Sequence, residues 1–378
     1  MRKVNSNRAL EVLWVSMRIL GLDPPEKHKV IYQVYSLCLN STITFYYPIS
    51  MIVNMFLLDT KKEVVSNLTL TISMFVCAMK TLNNYLKRKE LRKIRDYLAK
   101  LDVDVKFAAD EEYLEYIVKV SFRYFVFYAA AFGLVIATCE LPVMFAHERR
   151  LLYPAWFPWD WKNSTRIYYI IHSYQLIGIV IQIYQNLLND TIPGILMWLL
   201  KGHLHVLKSR IERVGYDKSL SAEENYTELV ACIKSHKICL AFRDQCHTFI
   251  SQILVFQFIS TEFTLCMTAI YIFFVGDNFM EIVYLSCYFM SMIFEITLCC
   301  YCGSEMVEES YHFTTGLYHC NWMEQNLKFR KVLIIFMQHS QKPWTILAGG
   351  VISVTLSTWM TVLKSAYSLF AVLNRTTR

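Results

Sequence analysis

The chain has 378 residues, of which 55% are hydrophobic and only 18% are charged. A large soluble enzyme exposes more charge than this, so the composition excludes that class and indicates a membrane protein that crosses the bilayer several times. The formal net charge of +7 reflects an uneven distribution of lysine and arginine between loops and needs no nucleic-acid partner. The first residues, MRKVNSNRALEVLW, lack an apolar core followed by a small-residue cleavage site, so we expect no signal peptide.

Apolar segments alternate with polar loops along the chain, and they predict an all-α, polytopic membrane protein with seven transmembrane helices. An amphipathic helix around Leu10, Leu13 and Met17 precedes the first span. We predict spans at approximately residues 30–58, 64–86, 118–145, 167–200, 249–275, 279–301 and 344–373. We also predict a cytosolic anchor of helices in water, at approximately residues 200–214, 229–248 and 303–342, with a polar link at 215–230.

The seventh span follows Pro343, which has no N–H and disfavours helical geometry in the residue before it. We therefore predict a break at Pro343 and a transmembrane helix from Trp344 onwards. Within that helix, Gly349 and Gly350 are expected to let neighbouring helices approach closely.

Lysine and arginine orient the chain in the membrane. Segments 1–29, 87–119, 201–243 and 303–342 together hold 27 of them, whereas segments 59–63, 146–166, 276–278 and 374–378 together hold 8. Because cytosolic loops carry the excess of these residues, the N-terminus is predicted to lie in the cytosol. Seven crossings then place the C-terminus outside the cell, opposite to a G-protein-coupled receptor.

The twelve cysteines avoid the predicted outer loops, so no disulfide framework is expected. Cys232, Cys239 and Cys246 recur every seven residues on one helical stripe, where they either bind a metal or, as we favour, pack as small buried thiols. No histidine-rich cluster and no phosphate-binding glycine loop accompanies them. We therefore expect no catalytic residues, no metal site and no cofactor.

Among the acidic residues within predicted spans we single out Glu140, Glu262 and Glu295. Ionisable side chains are costly inside a bilayer, so each is a candidate for a functional role. Each either makes a hydrogen bond between helices, which we favour, or faces a water-filled path, where it would attract cations.

The end of the chain resembles a known family. The run QKPWTILAGG, the serine- and threonine-rich helix after it and the final LKSAYSLFAVL resemble the C-terminal signature of insect odorant receptors. The preceding YHCNWMEQNLKFRKVL resembles the tryptophan-containing run that comes before the last cytosolic helix in that family.

This resemblance implies an odorant-binding subunit of a ligand-gated, non-selective cation channel, which detects a small volatile together with a co-receptor. It implies that the cytosolic anchor is where four subunits meet, in a heterotetramer embedded among the lipids of the plasma membrane of olfactory sensory neurons. The link at 215–230 is shorter than that of the co-receptor, which favours a ligand-tuning subunit. The alternatives are a receptor that signals through G proteins, against which the charge bias counts, and a transporter or membrane enzyme, against which the lack of repeated halves and catalytic clusters counts.

The resemblance also implies a ligand pocket within the outer half of the spans, although no motif identifies its residues. Odorants are small and largely apolar, so capture depends on apolar area with one or two polar groups that set orientation. By depth and chemistry we select Phe75, Ile136, Tyr169, His172, Tyr284 and Tyr288. Each of these residues either lines a pocket suited to aromatic or heteroaromatic volatiles or simply packs between helices.

The last span carries a narrow apolar stripe. At about 100° per residue, four side chains share it: Leu363, Ala366, Phe370 and Leu373. The stripe either packs against lipid and neighbouring helices or forms a seam around a pore. The resemblance places the family's constriction in the matching part of the helix, so we predict a gate at Phe370 and Leu373. Lys364 lies about 120° away and is expected to contact a neighbouring helix or to snorkel outward.

Overall fold

The computed structural model describes residues 4–25, 27–58, 61–145, 149–275 and 279–376. For residues 61–63, 65–66, 142, 144, 274–275 and 373–376 it describes the backbone only. These residues are largely helical, and they contain a single short hairpin of β-strands.

In the first half of the chain, the described residues form a separate first helix, a span broken into three pieces and four further helices. They are α1 (Arg8–Ile19), α2 (Lys29–Leu39), a π-helical segment (Asn40–Phe45), α3 (Tyr46–Met55), α4 (Lys61–Leu86), α5 (Arg88–Val103), α6 (Ala108–Cys139) and the single turn α7 (Leu141–Met144). The predicted helix around Leu10 is confirmed, because Leu10, Leu13 and Met17 are fully buried.

The second half contains the longest helices. They are α8 (Thr165–Glu212), α9 (Ala222–Ile270) with a π-helical end (Tyr271–Val275), α10 (Phe279–Gly316) with a 3-10 turn (Leu317–His319), α11 (Leu327–Ser340), the strands β1 (Leu347–Ala348) and β2 (Ile352–Ser353), and α12 (Leu356–Thr376). A helix rises about 1.5 Å per residue, so α8 and α9 each extend roughly 70 Å, more than twice the thickness of a bilayer core. They therefore continue well beyond the membrane.

Among the residues that the structure describes, four helices are long and apolar enough to cross a membrane by length and composition: 108–139, 165–212, 222–273 and 279–319. The other three predicted spans are made of helices that are shorter or more polar than these four. The first is broken at Asn40–Phe45, α4 carries Asn67, Lys80 and Asn84, and α12 is rich in serine and threonine.

The largest apolar cluster of the core runs from the spans into the cytosolic ends of the helices. α8 lies at its centre, and almost every side chain between residues 187 and 207 is buried. Pro193 lies inside this helix without ending it, because the surrounding helices can support the backbone groups that a proline leaves unpaired.

The outer loop at 149–164 packs back onto the helices. The Trp156 N–H donates to the Ser50 carbonyl at 3.1 Å, and the Leu152 N–H donates to Gln175 Oε1 at 3.0 Å. Tyr153 is buried against Tyr47, with ring centroids 5.2 Å apart. The loop therefore covers the outer ends of α3 and α8.

The prediction of a continuous helix at 344–373 was wrong in its first part. Leu347–Ala348 and Ile352–Ser353 pair as antiparallel strands, and the helix begins only at Leu356. Gly349 and Gly350 have φ values of +60° and +76° and form the turn, rather than a contact surface between helices. A β-carbon on Gly303 of α10 would lie 2.0 Å from the Val354 carbonyl oxygen, so glycine is needed there for the hairpin to reach the helix.

The predicted anchor has different boundaries in the structure. Helix α9 begins at Ala222, because Ser221 and Glu224 form a capping box that satisfies the first backbone N–H groups. The segment 303–342 is two elements rather than one, since α10 continues to Gly316 and α11 starts at Leu327.

Candidate functional site

Five helices meet in an apolar cluster between the spans. We call it the junction cluster: its buried members are Val135, Leu265, Tyr288, Met292 and Ala366, with Ile183, Tyr284, Phe289, Ile293 and Leu363 packed around them. These residues come from α6, α8, α9, α10 and α12. A molecule accommodated here would therefore touch the last helix directly.

The junction cluster has few polar groups, and they lie close to one another around the Tyr288 hydroxyl. The Tyr288 hydroxyl shares a short hydrogen bond with Ser73 Oγ of α4, and Ser73 Oγ lies 3.5 Å from Thr264 Oγ1. The ring of Tyr284 stacks near that of Tyr288, with centroids 6.5 Å apart and planes 22° apart. An apolar surface with one hydroxyl that orients the ligand is the arrangement expected for a site that takes small volatiles.

The six predicted ligand residues do not all come together. Tyr284 and Tyr288 belong to the junction cluster, and the half-buried Ile136 follows Val135 on α6. Phe75 and Tyr169 instead lie on the outside of this chain, 48% and 63% exposed.

His172 belongs to a separate contact near the outer end of the spans. Its Nε2 lies 3.4 Å from Glu140 Oε1, and its ring stacks on Tyr168 with centroids 5.7 Å apart. Of the three acids noted in predicted spans, Glu140 thus takes part in a contact between helices, while Glu262 is half-buried.

The apolar stripe of α12 faces the chain's own helices. Leu363 and Ala366 pack in the junction cluster, and the Phe370 ring lies 5.9 Å from that of Phe273. The side chain of Leu373 lies outside the described residues. Leu363, Ala366 and Phe370 therefore each contact another helix of the same chain.

The opposite face of α12 is exposed and mixes polar with apolar side chains. Thr361, Lys364 and Ser368 are exposed there, together with Met360 at 44%, Tyr367 at 71% and Val372 at 56%. Lys364 is charged, and an ionisable side chain within a predicted span is a candidate for a functional role.

A buried group of charges lies deeper between the helices. The Lys80 ammonium of α4 lies 2.6 Å from Asp190 Oδ1 of α8 and 3.6 Å from Glu295 Oε1 of α10, and it also donates to Gln257 Oε1 of α9. The side chains of Lys80, Asp190 and Glu295 are at most 3% exposed. Glu295 is therefore a contact between helices, as favoured above, and its cation is Lys80.

Sequence reasoning missed Lys80 and Asp190 as partners. Each could have been recognised as a candidate, because it is an ionisable residue inside a predicted span. The two are 110 positions apart, however, and no local pattern indicates that they meet.

Comparisons with known proteins agree with this architecture. The sequence profile of the family described as 7tm odorant receptor matches residues 60–367. Odorant receptor 2a of Drosophila melanogaster is 30% identical to this chain, covering 99% of the chain and 98% of that protein, and odorant receptor 33a of the same species is 30% identical, covering 98% and 97%.

The chain belongs to the insect odorant receptor family. Membership makes it an odorant receptor, a ligand-gated channel protein of the membrane rather than an enzyme. The olfactory receptor OR5 from Machilis hrabei has the same fold, with a TM-score of 0.80, 18% identity and coverage of 96% of this chain and 97% of that one. OR5 in complex with eugenol also matches with a TM-score of 0.80. The predicted helical seven-span fold is thus confirmed.

The receptor's anchor is held by polar contacts between distant segments. Arg213 forms a two-pronged pair with Asp110, at 2.8 and 3.0 Å, and Arg210 Nε lies 2.6 Å from Glu228 Oε1. His205 Nδ1 lies 2.9 Å from Glu309 Oε1. Burial acts to raise the pKa of Glu309, but the hydrogen bond from His205 and nearby positive charges, which include Lys208 and Lys201, together hold that pKa below its usual value.

The stripe of cysteines in the receptor is packed in the core. Cys232, Cys239 and Cys246 are all buried, and burial raises the pKa of the Cys232 thiol to about 12. Within the part of the chain that the structure describes, no three histidine, cysteine or acidic side chains are placed to hold a metal ion. The three buried thiols pack within the largest apolar cluster of the core.

Proposed function

We propose that this receptor is the odorant-binding subunit of a ligand-gated, non-selective cation channel and that the odorant binds in the junction cluster. The observation that carries this proposal is that Tyr284 and Tyr288 share one apolar cluster with Leu363 and Ala366 of α12. Ligand contact and the last helix are thus directly adjacent. No relay through other parts of the fold is needed to connect them.

Capture would rest on the apolar side chains of the cluster. Burying apolar surface contributes about 25 cal/mol per Å², which suits a small volatile with little polarity. The Tyr288 hydroxyl, now bonded to Ser73, is the group that would exchange its partner for a polar atom of the ligand. The two tyrosine rings favour an aromatic or heteroaromatic volatile, because ring pairs gain from offset or edge-on contact.

Gating would follow from displacement of α12. A ligand that separates Tyr288 from Ala366 changes the packing of the stripe, and packed interfaces tend to move between discrete arrangements rather than to deform gradually. We propose that the exposed face with Thr361, Lys364 and Ser368 borders the ion path. In this proposal Phe370 and Leu373 do not line the ion path. They stabilise the closed state by packing against neighbouring helices.

The cytosolic anchor is proposed to join this chain to the co-receptor in a heterotetramer. Helix α11 buries Phe329, Leu333 and Phe336 within its own chain, yet it leaves Ile334 and Ile335 63% and 57% exposed. Such a surface in water is a good candidate for contact with a second subunit. The lysine and arginine bias supports a cytosolic N-terminus, an extracellular C-terminus and a site in the plasma membrane of olfactory sensory neurons.

The ligand site is tested by dose–response curves for currents in cells that express the receptor with a co-receptor. Tyr288→Ala is expected to raise the half-maximal concentration of an activating volatile about ten- to hundredfold, since losing a buried contact costs roughly 1–3 kcal/mol. Tyr169→Ala is the matched control, because this tyrosine is exposed. Unchanged potency in Tyr288→Ala at equal surface expression would refute the proposed site.

A further inference from the structure

Six cationic side chains gather where α1 ends, α2 begins and α5 begins: Arg18, Lys27, Lys29, Arg88, Lys89 and Arg92. We call this group the basic surface. Two of its arginines share one acid. Arg18 Nε lies 3.6 Å from Asp23 Oδ2, and the Arg92 guanidinium bonds to Asp23 Oδ1. Because Asp23 is buried and carries one charge, the two arginines together keep a positive charge at the surface.

Several contacts fix these segments against one another. The Tyr32 hydroxyl of α2 donates to the Arg18 carbonyl at 2.9 Å, and Ser36 Oγ donates to the Gly21 carbonyl at 2.6 Å. Arg88 donates to the Leu22 carbonyl at 3.4 Å and lies 4.4 Å from the centre of the Tyr85 ring. These contacts therefore hold the end of α1, the start of α2 and the start of α5, which carry the cationic groups, against one another.

The basic surface remains accessible despite these contacts. The side chains of Arg18 and Arg92 are 60% and 51% exposed, and Lys27, Lys29 and Lys89 are exposed as well. Of the acids on the same elements, Glu90 is already engaged by Lys93 and Gln245.

Exposed apolar side chains border the same cations. Val15 and Ile19 of α1 are 55% and 53% exposed, and Leu86 at the end of α4 is 68% exposed. Cations beside apolar side chains are typical of a segment that lies at the boundary between lipid headgroups and tails. The predicted spans 30–58 and 64–86 also end at this level, so the basic surface lies at the edge of the membrane.

We propose that the basic surface binds the phosphates of an anionic phosphoinositide in the inner leaflet. Arginine forms paired hydrogen bonds to phosphate oxygens, and a group of lysines and arginines directly beside a membrane span attracts anionic headgroups. A headgroup with several phosphates matches six cations that are concentrated at one place better than a lipid with a single charge. This proposal rests on the proposed cytosolic side of the chain, but not on channel activity.

Binding of the lipid headgroup would fix the position of α1 relative to the membrane. This helix packs in the core cluster that includes α6 and α8, and its Ser16 Oγ lies 2.7 Å from the Tyr184 hydroxyl of α8. A headgroup that bridges Arg18 and Arg92 would therefore tie α1 and α5 to the membrane edge. We expect it to stabilise the full-length receptor against heat.

The test uses the purified full chain in detergent and a fluorescent short-chain phosphatidylinositol 4,5-bisphosphate. Substituting Lys27→Gln, Lys29→Gln and Lys89→Gln together should weaken binding at least tenfold. These lysines were chosen because they are exposed and leave the buried Asp23 paired. The control combines Lys100→Gln, Lys106→Gln and Lys218→Gln, which remove the same charge farther from the membrane edge, and it should bind within twofold of the unsubstituted receptor.

Two further measurements test whether positive charge and the anionic headgroup are responsible for the binding. Replacing the same three lysines with arginine should restore binding, and short-chain phosphatidylcholine should fail to compete with the labelled lipid. Equal binding by the glutamine variant and the control, failure of the arginine variant to bind, or competition by phosphatidylcholine at equal concentration would each overturn the proposal. No odorant, co-receptor or current enters this assay, so its outcome is separate from that of the proposed channel function.

Discussion

Lys80 Nζ lies 2.6 Å from Asp190 Oδ1, and both side chains are only 2% exposed. Glu295 Oε1 is 3.6 Å from the same ammonium group, so one cation lies between two carboxylates. These residues link α4, α8 and α10 in the interior of the fold. A pair of this kind contributes little net stability, but removing one partner leaves an uncompensated buried charge.

Lys80→Met is therefore expected to destabilise the receptor by roughly 3–5 kcal/mol and to reduce its surface expression strongly. The measurement is surface labelling of cells that express the variant with a co-receptor. Arg123→Met is the matched control, since Arg123 also lies in a predicted span but is exposed. Surface levels of Lys80→Met equal to those of the control would contradict a structural role for the buried pair.

Conduction should depend more on the exposed face of α12 than on its apolar stripe. Lys364→Gln removes a positive charge from the proposed border of the ion path, so we expect increased cation conductance and altered selectivity between monovalent and divalent cations. Phe370→Ser should instead raise ligand-free current through loosened packing, with little change in selectivity. The gate predicted from the sequence at Phe370 and Leu373 would instead make Phe370→Ser the variant with the larger effect on conduction.

Both variants can be compared in one set of recordings with the same co-receptor. Reversal potentials in mixed ionic solutions report selectivity, and current without ligand reports the closed state. Altered selectivity in Phe370→Ser together with unchanged permeation in Lys364→Gln would restore the apolar stripe as the pore face.

Assembly should depend on the exposed apolar side chains of α11. Ile334→Glu places a charge on the proposed subunit contact, so it is expected to abolish co-purification with the co-receptor while the chain itself remains folded. Leu220→Glu adds the same charge at another exposed apolar position of the cytosolic region and serves as the control. Equal recovery of the co-receptor with both variants would show that the α11 surface is not the contact.

Stability should fall as the pH falls below about 6.5, because two buried histidines resist protonation. Burial lowers the pKa of His236 from 6.5 to about 4, with Arg243 and His339 adding to the shift, and burial alone lowers the pKa of His203 to about 4. The unfolded chain takes up these protons first, so stability is complete above pH 6.5 and is lost as the pH falls towards 4. At pH 5, each of the two buried histidines should lower the free energy of unfolding by roughly 2 kcal/mol relative to its value above pH 6.5.

His236→Phe isolates one of these contributions. The ring already stacks on Phe313, with centroids 5.0 Å apart, so phenylalanine fits the same space without titrating. Thermal melting of the purified receptor between pH 7.5 and 5 should become less dependent on pH in this variant. A melting profile as steep as that of the unsubstituted receptor would exclude His236 as a contributor.

The sequence predicted the helices well where local chemistry determines them. Ionisable residues bounded the long spans, and the spacing of Leu10, Leu13 and Met17 identified a buried helix face. The hairpin before α12 was missed because hydropathy does not distinguish an apolar strand from an apolar helix. Gly349-Gly350 was the available signal, since a glycine pair favours a hairpin turn.

The candidate site was harder to predict because it depends on contacts between distant segments. Periodicity identified the stripe of Leu363, Ala366 and Phe370, but not whether it faces the chain itself or a pore. The same limit applies to Tyr169 and Tyr288, which have the same side chain and both lie in the outer halves of predicted spans. Only the arrangement of the helices places the first outside and the second in the junction cluster.

In the proposed channel, this chain binds the odorant and the co-receptor completes the ion path. The most direct test records whole-cell currents, across a panel of aromatic and heteroaromatic volatiles, from cells that express the receptor and co-receptor together, the co-receptor alone or the receptor alone. We predict that at least one volatile evokes a non-selective cation current only when both chains are present, and that Tyr288→Ala shifts its potency. Volatile-evoked currents that are identical with the co-receptor alone, or that require G-protein activity, would contradict the claim.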